Sequence, residues 1–367
     1  MRNRKSIVLY IVSMHRGGAE RVMSILANSF ARMGYNVTLV TDIPVLDNEE
    51  NYYLIKKIKR ISIESHYKDY LLKNIYRLIQ LRRIVKEEKA DVVLSFLGKQ
   101  NYRMLLATIG LKCRKCVSVR NDPNREYGKS IFRKWLANRV FSLADACVFQ
   151  TGDAKSYFNK KVQMKSVIIP NPIDEKFFDV KRVKNPRNIV TVGRLEPQKN
   201  HKLLIDAFAL VADKIENEKL LIFGTGSLRE SLQEYINNIG MCDRIVLMGE
   251  VDCIEKELAK ARLFVLSSDY EGMSNSLMEA MAVGVPCIST DCPCGGAREL
   301  LRQDEGCLVP CNDTKGLGKA ICFVINNGYD NMAIDMSRYK IEEVVLKWKD
   351  ILFLRSESIK SDFGGDE

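Results

Sequence analysis

Apolar positions along this chain follow two alternating habits: short continuous runs, and longer stretches in which they recur every third or fourth residue. The first habit marks strands buried on both faces, the second amphipathic helices. Residues 7–12 form such a run. Gly17 and Gly18 then open a segment with Val22, Leu26, Phe30 and Met33 at helical spacing, Gly34 is placed to end it, and 37–41 reads as a second strand. A helix over 71–84 leads to a strand at 91–96, with further strands expected at 116–119, 146–150 and 166–169. Around Pro170-Asn171-Pro172 the alternation breaks, and a polar, basic stretch runs to Pro186. It then restarts with strand 189–192, helix 201–215, strand 220–223, helix 227–238, and strands 244–247 and 263–266. Helix 274–283 and strand 287–290 follow. The pattern predicts an α/β chain of two doubly wound, Rossmann-like domains, 1–170 and 188–338, joined by a linker at 171–187. A ligand cleft is expected outside the carboxyl ends of their strands. A last helix over 339–355, with Val345, Trp348 and Leu352, is expected to pack back on the first domain, and 356–367 to form a tail.

Length and composition suit that plan. A chain of 367 residues is long for one core, and 46% hydrophobic with 28% charged residues excludes a disordered chain. Arg2, Arg4 and Lys5 before 7–12 imitate a signal peptide, but the apolar run is short and no small-residue cleavage site follows, so a buried first strand is expected. No stretch approaches the ~20 apolar residues of a membrane span. The expected location is the cytoplasm or the inner surface of its membrane. Of eleven cysteines, Cys113 and Cys116 form a CxxC and Cys292 and Cys294 lie close together. Neither pair has a partner at zinc-site spacing, so no metal is expected and the thiols read as small buried hydrophobes.

Charge is divided unevenly. Residues 1–180 carry 33 Lys and Arg against 17 Asp and Glu, net +16; residues 181–367 carry 24 against 29, net −5. A first half this basic is expected to face something anionic, either a membrane leaflet or a phosphate-bearing acceptor. Neither an aromatic-basic ladder nor a helix-turn-helix is present, which argues against nucleic acid.

Four clusters fall where strands give way to helices. In Gly193-Arg194-Leu195-Glu196-Pro197-Gln198-Lys199-Asn200, an Arg fork and a Lys point charge five residues apart on one loop can converge on a diphosphate. Gly224-Thr225-Gly226-Ser227 allows close backbone approach to a phosphate or nucleoside, although such a pair also marks simple turns. Glu271-Gly272-Met273-Ser274-Asn275 precedes a helix that carries Glu279. Ser274 or Asn275 is the natural cap, and the free amides at the helix start suit an anion. Gly17-Gly18-Ala19-Glu20-Arg21 lacks the third glycine of a dinucleotide turn and the Lys-Ser/Thr of a P-loop. It reads as the first domain's lip of the cleft.

Taken in order, Gly-Gly-Ala-Glu-Arg (17–21), Ile-Pro-Asn-Pro-Ile (169–173), Gly-Arg-Leu with Gln-Lys-Asn (193–200) and Glu-x7-Glu (271–279) resemble the retaining GT-B glycosyltransferases of family 4, the type that builds capsule, O-antigen and exopolysaccharide. The resemblance covers about residues 6–325. It implies transfer of a hexose or N-acetylhexosamine from a nucleotide-diphosphate sugar, with uridine as the expected base, to a glycan acceptor held by the first domain, expected to be lipid-linked. It assigns the donor diphosphate to Arg194 and Lys199, the transferred sugar to Glu271, backbone amides to Met273, Ser274 and Asn275, and the ribose to Glu279. It also implies that no metal or other cofactor is needed, the cationic pair taking that part. Many members carry a His at the end of a first-domain strand, beside the donor sugar. Here the stretch reads Ser118-Val119-Arg120-Asn121-Asp122-Pro123, with Arg120 in that place.

A retaining double displacement would need two carboxylates about 5 Å apart. No partner for Glu271 stands in the motifs, so attack from the face of the departing diphosphate is expected. A nucleotide-sugar epimerase of the same plan, or a scaffold without turnover, remain alternatives. For the membrane, Lys56, Lys57, Lys59 and Arg60, then Lys68, Lys73, Arg77, Arg82, Arg83 and Lys86, flank Leu71, Leu72, Ile75, Leu78 and Ile79. This basic amphipathic helix either lies on an anionic leaflet or turns its apolar residues to the core.

Overall fold

A computed structural model describes residues 4–15, 17–44, 52–215, 217–301, 308–328 and 335–353. The chain forms two compact units, Met1–Pro172 with Ile341–Glu367, and Ile173–Lys340.

In the first unit β1 (Ser6–Ile11), β2 (Asn36–Thr41), β3 (Lys59–Ser62), β4 (Val92–Phe96), β5 (Arg114–Ser118), β6 (Ala146–Phe149) and β7 (Ser166–Ile168) make one sheet. All pairings are parallel, in the order β3-β2-β1-β4-β5-β6-β7. The helices are α1 (Gly18–Arg32), α2 (Tyr70–Glu87), α3 (Gly98–Ala107), α4 (Pro123–Glu126), α5 (Ile131–Phe141), α6 (Gly152–Ser156) and α7 (Lys160–Gln163). The chain runs from β1 to β2 in one direction and from β4 to β7 in the other. Right-handed crossovers therefore put α1 on one face of the sheet and α2, α3 and α5 on the opposite face. All six residues of β1 are buried, as its unbroken apolar run requires. Helix α1 buries Val22, Met23, Leu26, Ala27 and Phe30, then stops; Met33 lies past its end, half-exposed, and Gly34 turns the chain with φ +92°. The C-terminal helix Ile341–Phe353 covers the α1 side. Its Val344, Val345, Trp348, Ile351 and Leu352 share a core with Ile7, Leu9, Leu26 and Phe30.

The second unit holds β8 (Arg187–Val192), β9 (Leu220–Phe223), β10 (Ile245–Gly249), β11 (Ala261–Leu266), β12 (Cys287–Thr290) and β13 (Leu308–Val309), parallel in the order β10-β9-β8-β11-β12-β13. Its helices are α8 (Lys176–Asp179), α9 (His201–Ala209), α10 (Arg229–Asn238), α11 (Ile254–Lys260), α12 (Asn275–Ala282), α13 (Gly296–Leu300) and α14 (Thr314–Asn327). One apolar core lies under α9, α10 and α14, the other under α8, α11, α12 and α13. Strand direction of travel reverses between β8 and β11, so the loops after these two strands diverge at the carboxyl edge, where such sheets take ligands.

Three expectations needed adjustment. The helix foreseen over 201–215 ends at Ala209; Leu210 is exposed and a 3-10 turn, Ala212–Lys214, follows. The polar stretch foreseen as a linker is tied into the second unit. Phe177 of α8 is buried there, and Arg182 donates to the carbonyls of Gly284 at 3.0 Å and Ala261 at 2.8 Å. The last helix spans Ile341–Phe353, and 356–367 lie outside the described residues.

Candidate active site

The loop after β8 and the loop after β11 are built as one object. Asn200 adopts the left-handed conformation (φ 43°), caps α9 through Leu203 N–H, and donates to the Asp269 carboxylate at 2.7 Å. Gln198 donates to the Tyr270 carbonyl at 2.9 Å and accepts from the Asp269 amide at 2.9 Å. The Ser267 hydroxyl donates to the Lys199 carbonyl at 3.0 Å. These bonds bring the Lys199 ammonium onto the Glu271 carboxylate, with both side chains 14% exposed, and Ser268 Oγ adds a bond to Glu271 at 3.2 Å. Arg194 is exposed, and its guanidinium makes no hydrogen bond or ion pair among the described residues. His201 instead bonds the Arg194 carbonyl, at 3.1 Å. Burial pushes the His201 imidazole down to about 4, so it is neutral near pH 7 and structural.

Helix α12 starts at Asn275 with Ser274 as its cap residue, but the Ser274 hydroxyl pairs with Ser276 at 3.2 Å and caps no amide. The Ser274 side chain is therefore not what caps this helix start, a kind of place that suits an anion. Met273, Ser274 and Glu279 are buried, and Asn275 is half-buried. The turn entering α13 holds this segment from behind: a Cβ on Gly296 would collide with the Gly272 carbonyl. Thr290 Oγ1 and Cys292 Sγ fix the Ser268 carbonyl at 2.6 and 3.0 Å.

Gly224 is needed for a backbone contact within the unit. Its φ is +132°, and the space a side chain would fill is occupied by the Gly193 carbonyl. Glu196 completes the joint by accepting from the Ser227 amide at 3.1 Å and its hydroxyl at 3.0 Å, bonds that hold its carboxyl below the usual range. Gly224 thus shapes the Arg194 loop through backbone packing.

In the first unit Gly17 and Gly18 open α1 with no side-chain cap. Tyr52 Oη pins the turn, donating to the Gly17 carbonyl at 2.8 Å and accepting from its amide at 3.1 Å. Arg120 faces inward. Its guanidinium donates to Asn171 Oδ1 and lies 5.0 Å from the Phe96 ring centre and 6.0 Å from that of Trp348. Burial lowers its pKa to about 9, and raises that of nearby Glu126 to about 8. The expected place beside a donor sugar thus holds a guanidinium packed into its own unit, tying the Pro170-Asn171-Pro172 segment to the C-terminal helix.

Of the apolar face foreseen near residue 75, Leu71, Leu72, Ile75 and Ile79 are exposed and Leu78 is half-buried; α2 buries only Leu81, Ile84 and Val85. No helix among the described residues is long and apolar enough to cross a membrane. Among the ten described cysteines, all free, Cys113, Cys116, Cys147, Cys287, Cys292 and Cys294 are buried.

Two family models divide the chain between them: Glycosyltransferase Family 4 matches residues 16–177 and Glycosyl transferases group 1 matches residues 186–327. The chain belongs to the GT-B glycosyltransferases. This glycosyltransferase is 29% identical, over 88% of its length and 89% of the relative's, to the GalNAc-alpha-(1->4)-GalNAc-alpha-(1->3)-diNAcBac-PP-undecaprenol alpha-1,4-N-acetyl-D-galactosaminyltransferase of Campylobacter jejuni. It is 26% identical, over 74% of its length and 76% of the relative's, to the UDP-Gal:alpha-D-GlcNAc-diphosphoundecaprenol alpha-1,3-galactosyltransferase of Escherichia coli. Its fold matches that of Anabaena HepE solved with UDP and glucose, with TM-score 0.78 and 16% identity over 95% of this chain and 99% of that one.

The sequence motifs hold the charged residues that these two loops carry but give no sign of how the loops are joined. Gln198 and Asn200 stood inside a quoted motif without a role, and the adjacent pair Gly295-Gly296 before a short helix was the available signal for the turn behind Gly272.

Proposed function

We propose that this glycosyltransferase moves a hexose or N-acetylhexosamine, with retention of anomeric configuration, from a UDP-sugar to a lipid-linked glycan acceptor at an anionic membrane surface. The observation carrying this reading is the pairing of Lys199, on the Arg194 loop, with Glu271, just before α12, at the two strand ends where the second sheet reverses. In this reading Arg194, Lys199 and the α12 amides stabilise the charge that develops on the departing diphosphate. Protein cations perform that task without a divalent metal. Glu271, held by Lys199 and Ser268, orients the sugar, and the acceptor hydroxyl attacks from the side the diphosphate leaves. Pairing with Lys199 also limits repulsion between Glu271 and the donor phosphates. The relatives' named undecaprenol-linked acceptors support the acceptor class, the UDP-bound neighbour supports the base, and the exposed apolar and basic residues of α2 support the surface.

The test is a panel of nucleotide-sugars, read by thermal stabilisation and by transfer to a polyprenyl-diphosphate-linked sugar in the presence of EDTA. A UDP-sugar that stabilises the protein and yields an α-linked product is expected. Isomerisation of the donor without acceptor would replace the reading with an epimerase, and failure of every nucleotide-sugar to bind or react would overturn it.

A further inference from the structure

The apolar surface of α2 has a counterpart on α5, a helix with no conventional core face. α5 buries only Ala137 and Phe141. Ile131 is 89% exposed, Phe132 69% and Trp135 55%, and Leu136 is also exposed. Positions i, i+1, i+4 and i+5 lie along one side of a helix. The Phe132 and Trp135 rings stack with centres 6.0 Å apart, so the apolar residues form a contiguous ridge. Helix α3 packs on both α2 and α5, and all three lie on the same face of the first sheet. Between the two ridges Lys99 Nζ stands 5.6 Å from the ring centre of exposed Tyr70.

Charge selects the occupant. The three helices carry five, two and three Lys or Arg respectively, of which Arg103 is buried and Arg77 mostly covered against Asp42, and a single acid, Glu87. Protein interfaces are depleted in lysine and charge at their centres, whereas aromatic and aliphatic ridges among exposed cations suit the boundary of an anionic bilayer.

We propose that the α2–α3–α5 face docks on an anionic lipid bilayer and that α5 inserts Phe132 and Trp135 beneath the headgroups, which Arg133, Lys134 and Arg139 meet. This rests on the membrane-surface reading above and assigns the inserting element to α5. It explains why four large apolar residues on α5 face solvent in the isolated chain.

The protein supplies its own probe. It has two tryptophans, and Trp348 is fully buried, so a lipid-dependent change in emission reports Trp135. The full chain, without donor, is mixed with vesicles of phosphatidylcholine with and without phosphatidylglycerol. Expected are co-sedimentation with the anionic vesicles, a blue shift, quenching by brominated acyl chains, and residual binding at about 0.5 M NaCl, where screening falls to a few ångströms. Replacing Phe132→Ser and Trp135→Ser together should abolish the salt-resistant part and weaken low-salt binding about tenfold or more per side chain, leaving the melting temperature unchanged because both residues are exposed. Co-sedimentation without a Trp135 response overturns the proposal, as does a protein that stays in the supernatant at low salt. A blue shift that grows with protein concentration in the absence of lipid would assign the ridge to a second copy and also overturn it. No sugar transfer enters the assay, so its failure leaves the donor reading intact, and a failed donor panel leaves this result intact.

Discussion

Replacing Lys199 and Arg194 separately by Ala separates charge stabilisation from folding, because the two cations sit in different surroundings. The Arg194 guanidinium is exposed and unbonded among the described residues. Its removal should change stability by less than about 0.5 kcal/mol, as for most surface sites. Lys199 is paired to Glu271, and both side chains are 14% exposed. Removing it leaves that carboxylate with the Ser268 hydroxyl and limited access to water. A hydrogen bond to a charged group is worth roughly 1.5–3 kcal/mol when removed, and the residual solvent access lowers this to about 1–2 kcal/mol. For a domain of this size that is a melting shift of roughly 2–8 °C. The effect on reaction is expected to be larger and similar in both variants. Losing a preorganised donor to a developing anion costs about 3 kcal/mol, a few hundredfold in kcat. Saturating-donor turnover, measured well below either melting temperature, should therefore fall alike in both while only Lys199→Ala melts earlier. Either variant turning over within about fivefold of wild type would refute the assignment of that cation, since fivefold is only ~1 kcal/mol.

Glu271→Gln should bind free UDP as wild type does yet transfer little sugar; calorimetry with UDP and a turnover assay check the two halves, and normal transfer rates would sink the role. Gly224→Ala should cost about 2–4 kcal/mol, combining an unfavourable φ of +132° with collision against the Gly193 carbonyl; a urea midpoint equal to wild type would show that the two loops are not packed as described. His201 is buried and neutral, pushed down to about 4. Its unfolded form takes up a proton below about pH 6.5 that the folded form refuses, so stability is unaffected above that pH and declines toward pH 4, by about 3 kcal/mol in all. Urea unfolding of wild type and His201→Gln at both ends of this window should show a smaller acid loss in the variant, and parallel curves would refute the reading.

Strands buried on both faces were legible because an apolar run bounded by turns admits few alternatives: β9 and β12 have the expected bounds, Leu220–Phe223 and Cys287–Thr290. Segments whose sequence does not advertise a core were missed. β3 is the exposed edge Lys-Arg-Ile-Ser, and α5 puts Ile131, Phe132, Trp135 and Leu136 in water. Within the site, each motif sat on one strand-to-helix loop and could be read locally. What joins the loops could not, because Gln198 meets Tyr270, Asn200 meets Asp269 and Gly224 meets Gly193 only once β8 lies between β9 and β11. The surroundings of Arg120 were not legible either. Its position along the chain suggested a ligand contact, but its side chain turns back under Phe96 and Trp348.

The second unit is inserted, in chain order, into the first. Residues 173–340 separate β7 from the helix Ile341–Phe353 that finishes the α1-side core, and the two crossings are fastened together where the Ile173 amide donates to the Tyr339 carbonyl at 2.8 Å. During synthesis on the ribosome, the first sheet emerges long before Trp348, Ile351 and Leu352 exist, so Ile7, Leu9 and Phe30 must wait with part of their cover missing. A segment made late thus governs the solubility of one made early. A premature stop anywhere in the second unit, or a deletion confined to the final helix, harms the amino-terminal sheet, far away in sequence, and a chaperone that shields nascent apolar surface has its longest task at that sheet.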